Sequence, residues 1–302
     1  MHNIIQTDSL TFQYSKSVKV LDGISIHVPK GSIYGFLGPN GAGKSTTMSL
    51  ITGLLPEQGE SIKVFNEPLK SQLPQMFSKI GSIVEVPSLY GHLTGFENLK
   101  YFAKLKNVGT ERIHEVLEIV ELTKSAKRKA KEYSLGMKQR LAIALALLGE
   151  PELLLLDEPV NGLDPAGIVS IRKLLVKLNQ ENGVTIFVSS HLLSEIEKMC
   201  THVGIINNGK LQFEGTMKEL SEKTAGCQVQ ISLNNASAWI EKLEKIAIPV
   251  QQLNEQQISV ALDNKESIPN FIRKMVEDGM DIYEVKILDG LEEWFIQMTK
   301  NN

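Results

Sequence analysis

Short, unbroken apolar runs recur through the first two thirds of the chain, and helically spaced segments fill the intervals between them. "GSIYGFLG", "ELLLLDEP", "VTIFVSS" and "VGIINNGK" each carry a continuous hydrophobic stretch bounded by glycine, proline or polar residues. Strands that are buried on both faces have this pattern, because neither face needs polar positions. Alternated with helices, they predict an α/β core around a mainly parallel sheet. Residues 87–150 read as mostly helical and fall between two of these strands, so they predict a helical subdomain inserted into the core.

From Gly226 onward the texture changes. "CQVQISL" alternates like a strand, "SAWIEKLEKI" has helical spacing, and "IPVQQLN" with "QISVALD" predicts a hairpin. "SIPNFIRKMVEDG" then reads as a helix and "DIYEVKIL" as a strand. That β-α-β-β-α-β order is the split βαβ arrangement of a small α+β domain, expected over residues 226–302, with residues 1–225 forming the larger unit. A last helix is expected before "WFIQM", with Asp289 as N-cap and Glu292 three residues later as the second half of a capping box. Trp239 and Trp294 are expected in the core.

Composition is that of an ordinary globular protein: 302 residues, 42% hydrophobic and 22% charged, with a formal net charge of −3. No global basic field is present to recruit nucleic acid or an acidic membrane, and no nucleic-acid partner is expected. The basic run from Lys124 to Glu132 reads as a solvated loop or helix end. Cys200 and Cys227 lie far apart and form no disulfide framework, which fits a reducing compartment with both thiols buried. "MHNIIQTDSL" lacks the pattern of a secretory leader. The most apolar region, Leu141 to Leu156, is broken by "GEPE" and is too short to span a bilayer. The expectation is a soluble, cytosolic protein that works at a membrane only through a partner.

Candidate chemistry sharpens this picture. "GPNGAGKST", spanning Gly38, Pro39, Asn40, Gly41, Ala42, Gly43, Lys44, Ser45 and Thr46, matches the phosphate-loop spacing and stands between the strand "IYGFL" and an apolar-periodic helix. Its glycines let backbone N–H groups turn toward phosphate oxygens, and the helix adds its positive end. Lys44 is expected on the β and γ phosphates of ATP and the Ser45 hydroxyl on Mg²⁺. A dinucleotide fingerprint read from Gly41 fails, because Thr46 stands where the last glycine belongs. "LLLLDEP" ends in Asp157, a candidate Mg²⁺ holder, and Glu158, a candidate general base, on what reads as the strand neighbouring the phosphate loop. His191, at the end of "VTIFVSSH", reads as a γ-phosphate contact. The stretch "KEYSLGMKQR" puts Ser134 and Gly136 at the head of a helix, which alone distinguishes neither a plain N-cap from an anion site.

Taken in order, the phosphate loop, "YSLGMKQR", "LLLLDEP", "NGLD" and "SSH" resemble the nucleotide-binding domain of ABC transporters over about residues 1–225. The resemblance implies a P-loop ATPase that forms a head-to-tail homodimer, in which Ser134 and Gly136 complete the ATP site of the second subunit. Leu135 and Met137 replace the usual glycine and glutamine of that signature. The resemblance also puts Tyr14 on the adenine ring, where a lone tyrosine would more often be packing, and Asp164 in the loop crossing the dimer interface. It puts Glu85, in place of the usual glutamine, at Mg²⁺. Within the family, Glu85 together with "SLGMKQR" and "PSLYGHLTGFENL" looks like the lantibiotic-immunity and bacitracin-resistance exporter ATPases. The implied function is ATP hydrolysis that powers a separate transmembrane permease exporting a peptide antibiotic, with the chain held on the cytoplasmic face of the membrane by that permease. The other classes weighed are a soluble ATPase acting on nucleic acid or ribosomes, and a non-hydrolysing binding module. One phosphate loop, two isolated cysteines and no heptad run argue against the first; intact Lys44, Asp157, Glu158 and His191 argue against the second.

Overall fold

The computed structural model describes residues 2–15, 18–84, 88–223, 227–245, 248–262, 264–288 and 295. The expected Asp289 capping box, Trp294 and the Cys227 side chain lie outside the described positions, as does Glu85. The chain divides into two compact units between Met217 and Lys218, ahead of the composition change at Gly226.

The first unit opens with β1 (Asn3–Thr7), β2 (Leu10–Ser15), β3 (Val18–Ile24), β4 (His27–Pro29) and β5 (Ile33–Leu37), then α1 (Lys44–Ile51), β6 (Ile62–Val64), β7 (Glu67–Pro68), α2 (Leu69–Gln72) and β8 (Ile80–Ile83). Three helices follow, α3 (Gly95–Leu105), α4 (Thr110–Ile119) and α5 (Leu135–Leu147), as the helical pattern predicts. Then come β9 (Leu153–Leu156), α6 (Pro165–Asn182), β10 (Thr185–Ser190), α7 (Leu193–Met199), β11 (His202–Asn207), β12 (Lys210–Thr216) and α8 (Met217–Lys223), the last beginning at the unit boundary.

The four apolar runs become β5, β9, β10 and β11 of one six-stranded sheet, ordered β12-β11-β5-β10-β9-β8. All neighbours are parallel except β12, which runs antiparallel along the edge of β11. Every residue of β5, β9 and β10 is buried, which is why these strands show no polar alternation. Tyr34 of β5 stands opposite Phe187 of β10 in register, with rings stacked 5.4 Å apart. Phe36 adds a second ring 5.5 Å from Phe187, so aromatic area locks the two strands that end in the candidate site.

Sheet order corrects one expectation. The strand beside the phosphate-loop strand β5 is β10, not β9, so the acids of "LLLLDEP" sit one strand further away and β10 lies between them and the loop. A second sheet, ordered β4-β1-β6-β7, and the β2–β3 hairpin complete the unit, and neither was predicted from the apolar pattern. The basic run forms two 3-10 turns, Thr123–Ser125 and Ala130–Glu132, as a mostly exposed loop. Cys200 is buried, and desolvation pushes its thiol far above the ordinary range, so it is an inert packing residue.

The second unit contains β13 (Cys227–Leu233), α9 (Ala236–Lys245), β14 (Val250–Asn254), β15 (Gln257–Leu262), α10 (Ile268–Glu277) and β16 (Ile282–Leu288). Its sheet is ordered β14-β15-β13-β16 with all neighbours antiparallel, so β15 splits the β13-α9-β14 unit as predicted. Val229, Ile231, Ile258 and Val260 pack against Trp239, Phe271 and Met275 in a core of its own.

Candidate functional site

The loop leaving β5 passes through left-handed backbone at Gly41 (φ 83°) and Gly43 (φ 110°), which side chains other than glycine rarely adopt. Gly38 is required for a different reason: a Cβ there would lie 2.4 Å from the carbonyl oxygen of Ile206. Backbone cannot step aside as a flexible side chain can. Gly38→Ala is therefore expected to cost about 1–3 kcal/mol of stability, read as a lower midpoint in urea unfolding. An unchanged midpoint would show that the loop has slack there. Helix α1 starts at Lys44 with Gly43 as N-cap and no side-chain cap, leaving its first N–H groups and the positive end of its dipole available to an anion.

Lys44 is almost wholly buried, with 6% of its side chain exposed. Its ammonium donates to the carbonyl oxygens of Gly38, at 2.7 Å, and Pro39, at 3.2 Å. It also lies 3.2 Å from Glu158 Oε1. That last contact is an ion pair at a poor angle, so Oε1 is buried yet accepts no hydrogen bond. A buried cation and an under-satisfied carboxylate oxygen thus face each other beside a row of N–H groups. The arrangement suits a phosphate chain that needs Lys44 and a water that needs Glu158.

Glu158 follows β9 in left-handed backbone (φ 46°), uncommon for a residue with a Cβ and typical of functional turns. Its Oε2 meets His191 Nδ1 at 2.9 Å, from the end of β10. Asp157 is held on two sides: its N–H donates to Ile83 of β8 at 2.8 Å, and its Oδ1 accepts from the hydroxyl of Ser189. The Ser189 oxygen in turn accepts the N–H of Glu158 at 2.9 Å. One residue on, the carbonyl of Ser190 receives the N–H of Gly38 at 3.2 Å. Ser189 was missed in the sequence, although the quoted "SSH" contains it, because the acids were expected next to the phosphate loop without a strand between.

Among the described residues no group of three or more His, Cys, Asp or Glu forms a ready-made metal site. A Mg²⁺ fits nonetheless, since that ion characteristically takes one or two protein oxygens and completes its shell with phosphate and water. Ser45 is exposed at the first turn of α1, next to the buried Lys44. Tyr14 is 64% exposed, braced edge-on by Phe12 at 5.0 Å, with its hydroxyl 3.4 Å from the Thr46 hydroxyl. That sets a free aromatic face beside the loop.

Ser134, Gly136 and Asp164 form a second group. Ser134 caps α5, its hydroxyl accepting the N–H of Met137 at 3.2 Å, and Asp164 caps α6 through the N–H of Gly167 at 2.9 Å. The loops beside the two caps lie close together: a Cβ added at Gly162 would lie 3.3 Å from Leu135 Cδ2. Two anchors fix the start of α5. The Tyr133 hydroxyl donates to the Ser125 carbonyl at 2.7 Å, and Arg140 ties α5 to the Val120 carbonyl at 2.6 Å and to Glu121 at 2.9 Å. Among the described residues, no hydrogen bond or ion pair joins Ser134 or Asp164 to Lys44, Asp157, Glu158 or His191. The described residues thus form two separate groups, one around the buried Lys44 and one at the exposed heads of α5 and α6.

Residues 21–161 match the family described as ABC transporter. The chain is 47% identical over 302 residues to the bacitracin transport ATP-binding protein BcrA of Enterococcus faecalis, covering 99% of this chain and 97% of that one. The chain belongs to the ATP-binding subunits of ABC transporters. It is 41% identical over 211 residues to the lantibiotic transport ATP-binding protein SrtF of Streptococcus pyogenes, covering 70% of this chain and 90% of that one. A dimeric ATP-binding cassette, MJ0796, solved in a post-hydrolysis state with ADP and Pi, superposes with a TM-score of 0.63 at 25% identity over 70% of this chain and 98% of that one. This ATPase subunit binds nucleotide and hydrolyses ATP. No helix among its described residues is long and apolar enough to cross a membrane.

Proposed function

We propose that the subunit works as a head-to-tail pair that hydrolyses ATP–Mg²⁺ to drive a separate transmembrane permease, and that the permease expels a peptide antibiotic of the bacitracin or lantibiotic kind. The observation that carries the ATP chemistry is the convergence at the uncapped head of α1 of Lys44, which opens that helix, with Glu158 from the end of β9, itself met by His191 from the end of β10. Lys44 holds the β and γ phosphates, Tyr14 stacks on the adenine, and Ser45 with Asp157 holds Mg²⁺, which when bound offsets the charge of the transferring phosphate. Glu158 takes the proton of the attacking water, and His191 keeps its carboxylate aimed. Glu85 belongs to this metal-side group by motif alone.

Ser134 and Gly136 supply the missing face of the site in the second copy, with Asp164 crossing the interface beside them. Two incomplete half-sites on one chain are what a two-fold, head-to-tail pairing requires. Loss of the γ-phosphate then removes the contact that bridges the copies. The cargo assignment is supported by the likeness to the bacitracin and lantibiotic transport proteins, and the subunit acts on the cytoplasmic face of the membrane, held there by the permease.

Affinity capture of the tagged Glu158→Gln subunit from solubilised native membranes, with ATP and Mg²⁺, tests the partner. A polytopic membrane protein in near-equal amount is expected, and cells lacking the subunit are expected to lose resistance to bacitracin or a lantibiotic. Capture of only ribosomal or nucleic-acid proteins would move the subunit to the non-transport branch. Unchanged resistance would reject the cargo while leaving the ATP chemistry standing.

A further inference from the structure

We infer that Ser189 is a positioning residue of the hydrolytic site: one buried hydroxyl on β10 that fixes the Asp157 carboxylate and the backbone of Glu158 at the same time. The inference rests on the proposed roles of Asp157 at the metal and Glu158 at the water.

Ser189 is wholly buried. Its hydroxyl has one proton, and the direction of both bonds follows from the partners. The Asp157 carboxylate only accepts when ionised, so Ser189 Oγ donates to Oδ1. The Glu158 N–H only donates, so the same oxygen accepts it, at 2.9 Å. No rotation of the hydroxyl serves both partners in another way. The bond to the carboxylate is charge-assisted and of the stronger class.

Each bond constrains something the chemistry needs. With the Asp157 N–H held by Ile83 of β8, the bond to Oδ1 ties the acid's other end to β10, which leaves its carboxylate little freedom to turn. The bond to Glu158 N holds the residue whose left-handed backbone directs its side chain to Lys44 and His191. Three consecutive positions of one strand end therefore serve three parts of the site: Ser189 the two acids, the Ser190 carbonyl the start of the phosphate loop, and His191 the Glu158 carboxylate. Groups that orient a metal-holding carboxylate commonly change metal affinity or activity by about 10–100-fold when removed.

The test measures Mn²⁺ binding to the ATP-loaded full-length subunit by electron paramagnetic resonance, alongside kcat, KM and ATP binding without metal. Ser189→Ala is expected to raise the Mn²⁺ concentration for half-saturation by about tenfold and lower kcat by about 10–100-fold. Metal-free ATP binding, which depends on Lys44, is expected to stay within about threefold of wild type, a difference below 1 kcal/mol. Ser189→Thr keeps the hydroxyl and is expected to restore most of both. Ser189→Cys, of similar shape and a weaker donor, gives the same direction should the alanine variant not fold. Thr185→Ala removes another buried hydroxyl at the opposite end of β10, which accepts the Gly31 N–H, and is expected to leave the Mn²⁺ titration unchanged. An unshifted titration in Ser189→Ala, or an equal shift in Thr185→Ala, overturns the inference. Failure of the wild-type subunit to bind Mn²⁺ with ATP would instead reject the underlying reading of Asp157.

Discussion

Glu158→Gln is expected to keep ATP and lose turnover by about 10²–10⁴-fold, the range over which a positioned proton acceptor contributes. The amide preserves the shape and can still accept from His191, whose Nδ1 lies 2.9 Å from Oε2. It cannot take a proton from water at neutral pH. Binding moves the other way. In the structure Lys44 faces the Glu158 carboxylate at 3.2 Å, and a phosphate must compete with that charge for the same ammonium. Removing the charge removes the competitor, so the ATP Kd is expected to fall by up to about tenfold, equivalent to ~1.4 kcal/mol. Slow hydrolysis with tight ATP also keeps both half-sites bridged, so the variant should elute as a persistent dimer with ATP and as a monomer without it. Phosphate release and size-exclusion chromatography check the two halves separately. Turnover near wild type would sink Glu158 as the base, and tight ATP without dimerisation would sink Ser134 as the second copy's contribution.

Much of this site was legible in the chain because its chemistry is local in sequence. The phosphate loop needs consecutive glycines, and Asp157–Glu158 and His191 each close a buried strand, so a few adjacent letters carry each signal. What the letters do not carry is lateral order. Nothing in "VTIFVSSH" says that it inserts between the loop strand and the acid strand, and Ser189 became visible only once β10 stood between β5 and β9. The N-terminal sheet was hidden for a different reason. β6 and β7 have three and two residues, and β1 has the burial pattern iBBiB, which breaks the alternation on which strand reading depends. The capping box joining Thr94 and Glu97 at the start of α3 is written in the sequence as T-x-x-E. The second unit is legible chiefly through β13, which alternates buried and half-buried positions, and α10, which buries Ile268, Phe271 and Met275, whereas β14 is exposed along most of its length.

Lys44→Ala is expected to weaken ATP binding by about 2–5 kcal/mol, the usual cost of truncating one partner of a buried, hydrogen-bonded charge pair. In Kd that is a loss of roughly thirtyfold to a few thousandfold. The size follows from burial. With 6% of its side chain exposed, the ammonium has little water to screen it, and no other cation contacts the loop among the described residues. The substitution also strips Glu158 of its positive neighbour, leaving the carboxylate with His191 alone, so the nucleotide-free subunit should also melt earlier. Lys44→Arg separates charge from fit. The two carbonyl oxygens at 2.7 and 3.2 Å close around a compact ammonium, and a planar guanidinium on a longer stem has no room between them. Arginine is therefore expected to recover little of the loss, although it restores the full charge. Binding of a fluorescent ATP analogue, with and without Mg²⁺, reads the outcome. Recovery by arginine to near wild-type affinity would mean that a point charge near the loop suffices and that the close carbonyl cage around Lys44 is incidental. Wild-type affinity in the alanine variant would place the phosphates elsewhere and undo the reading of the loop itself.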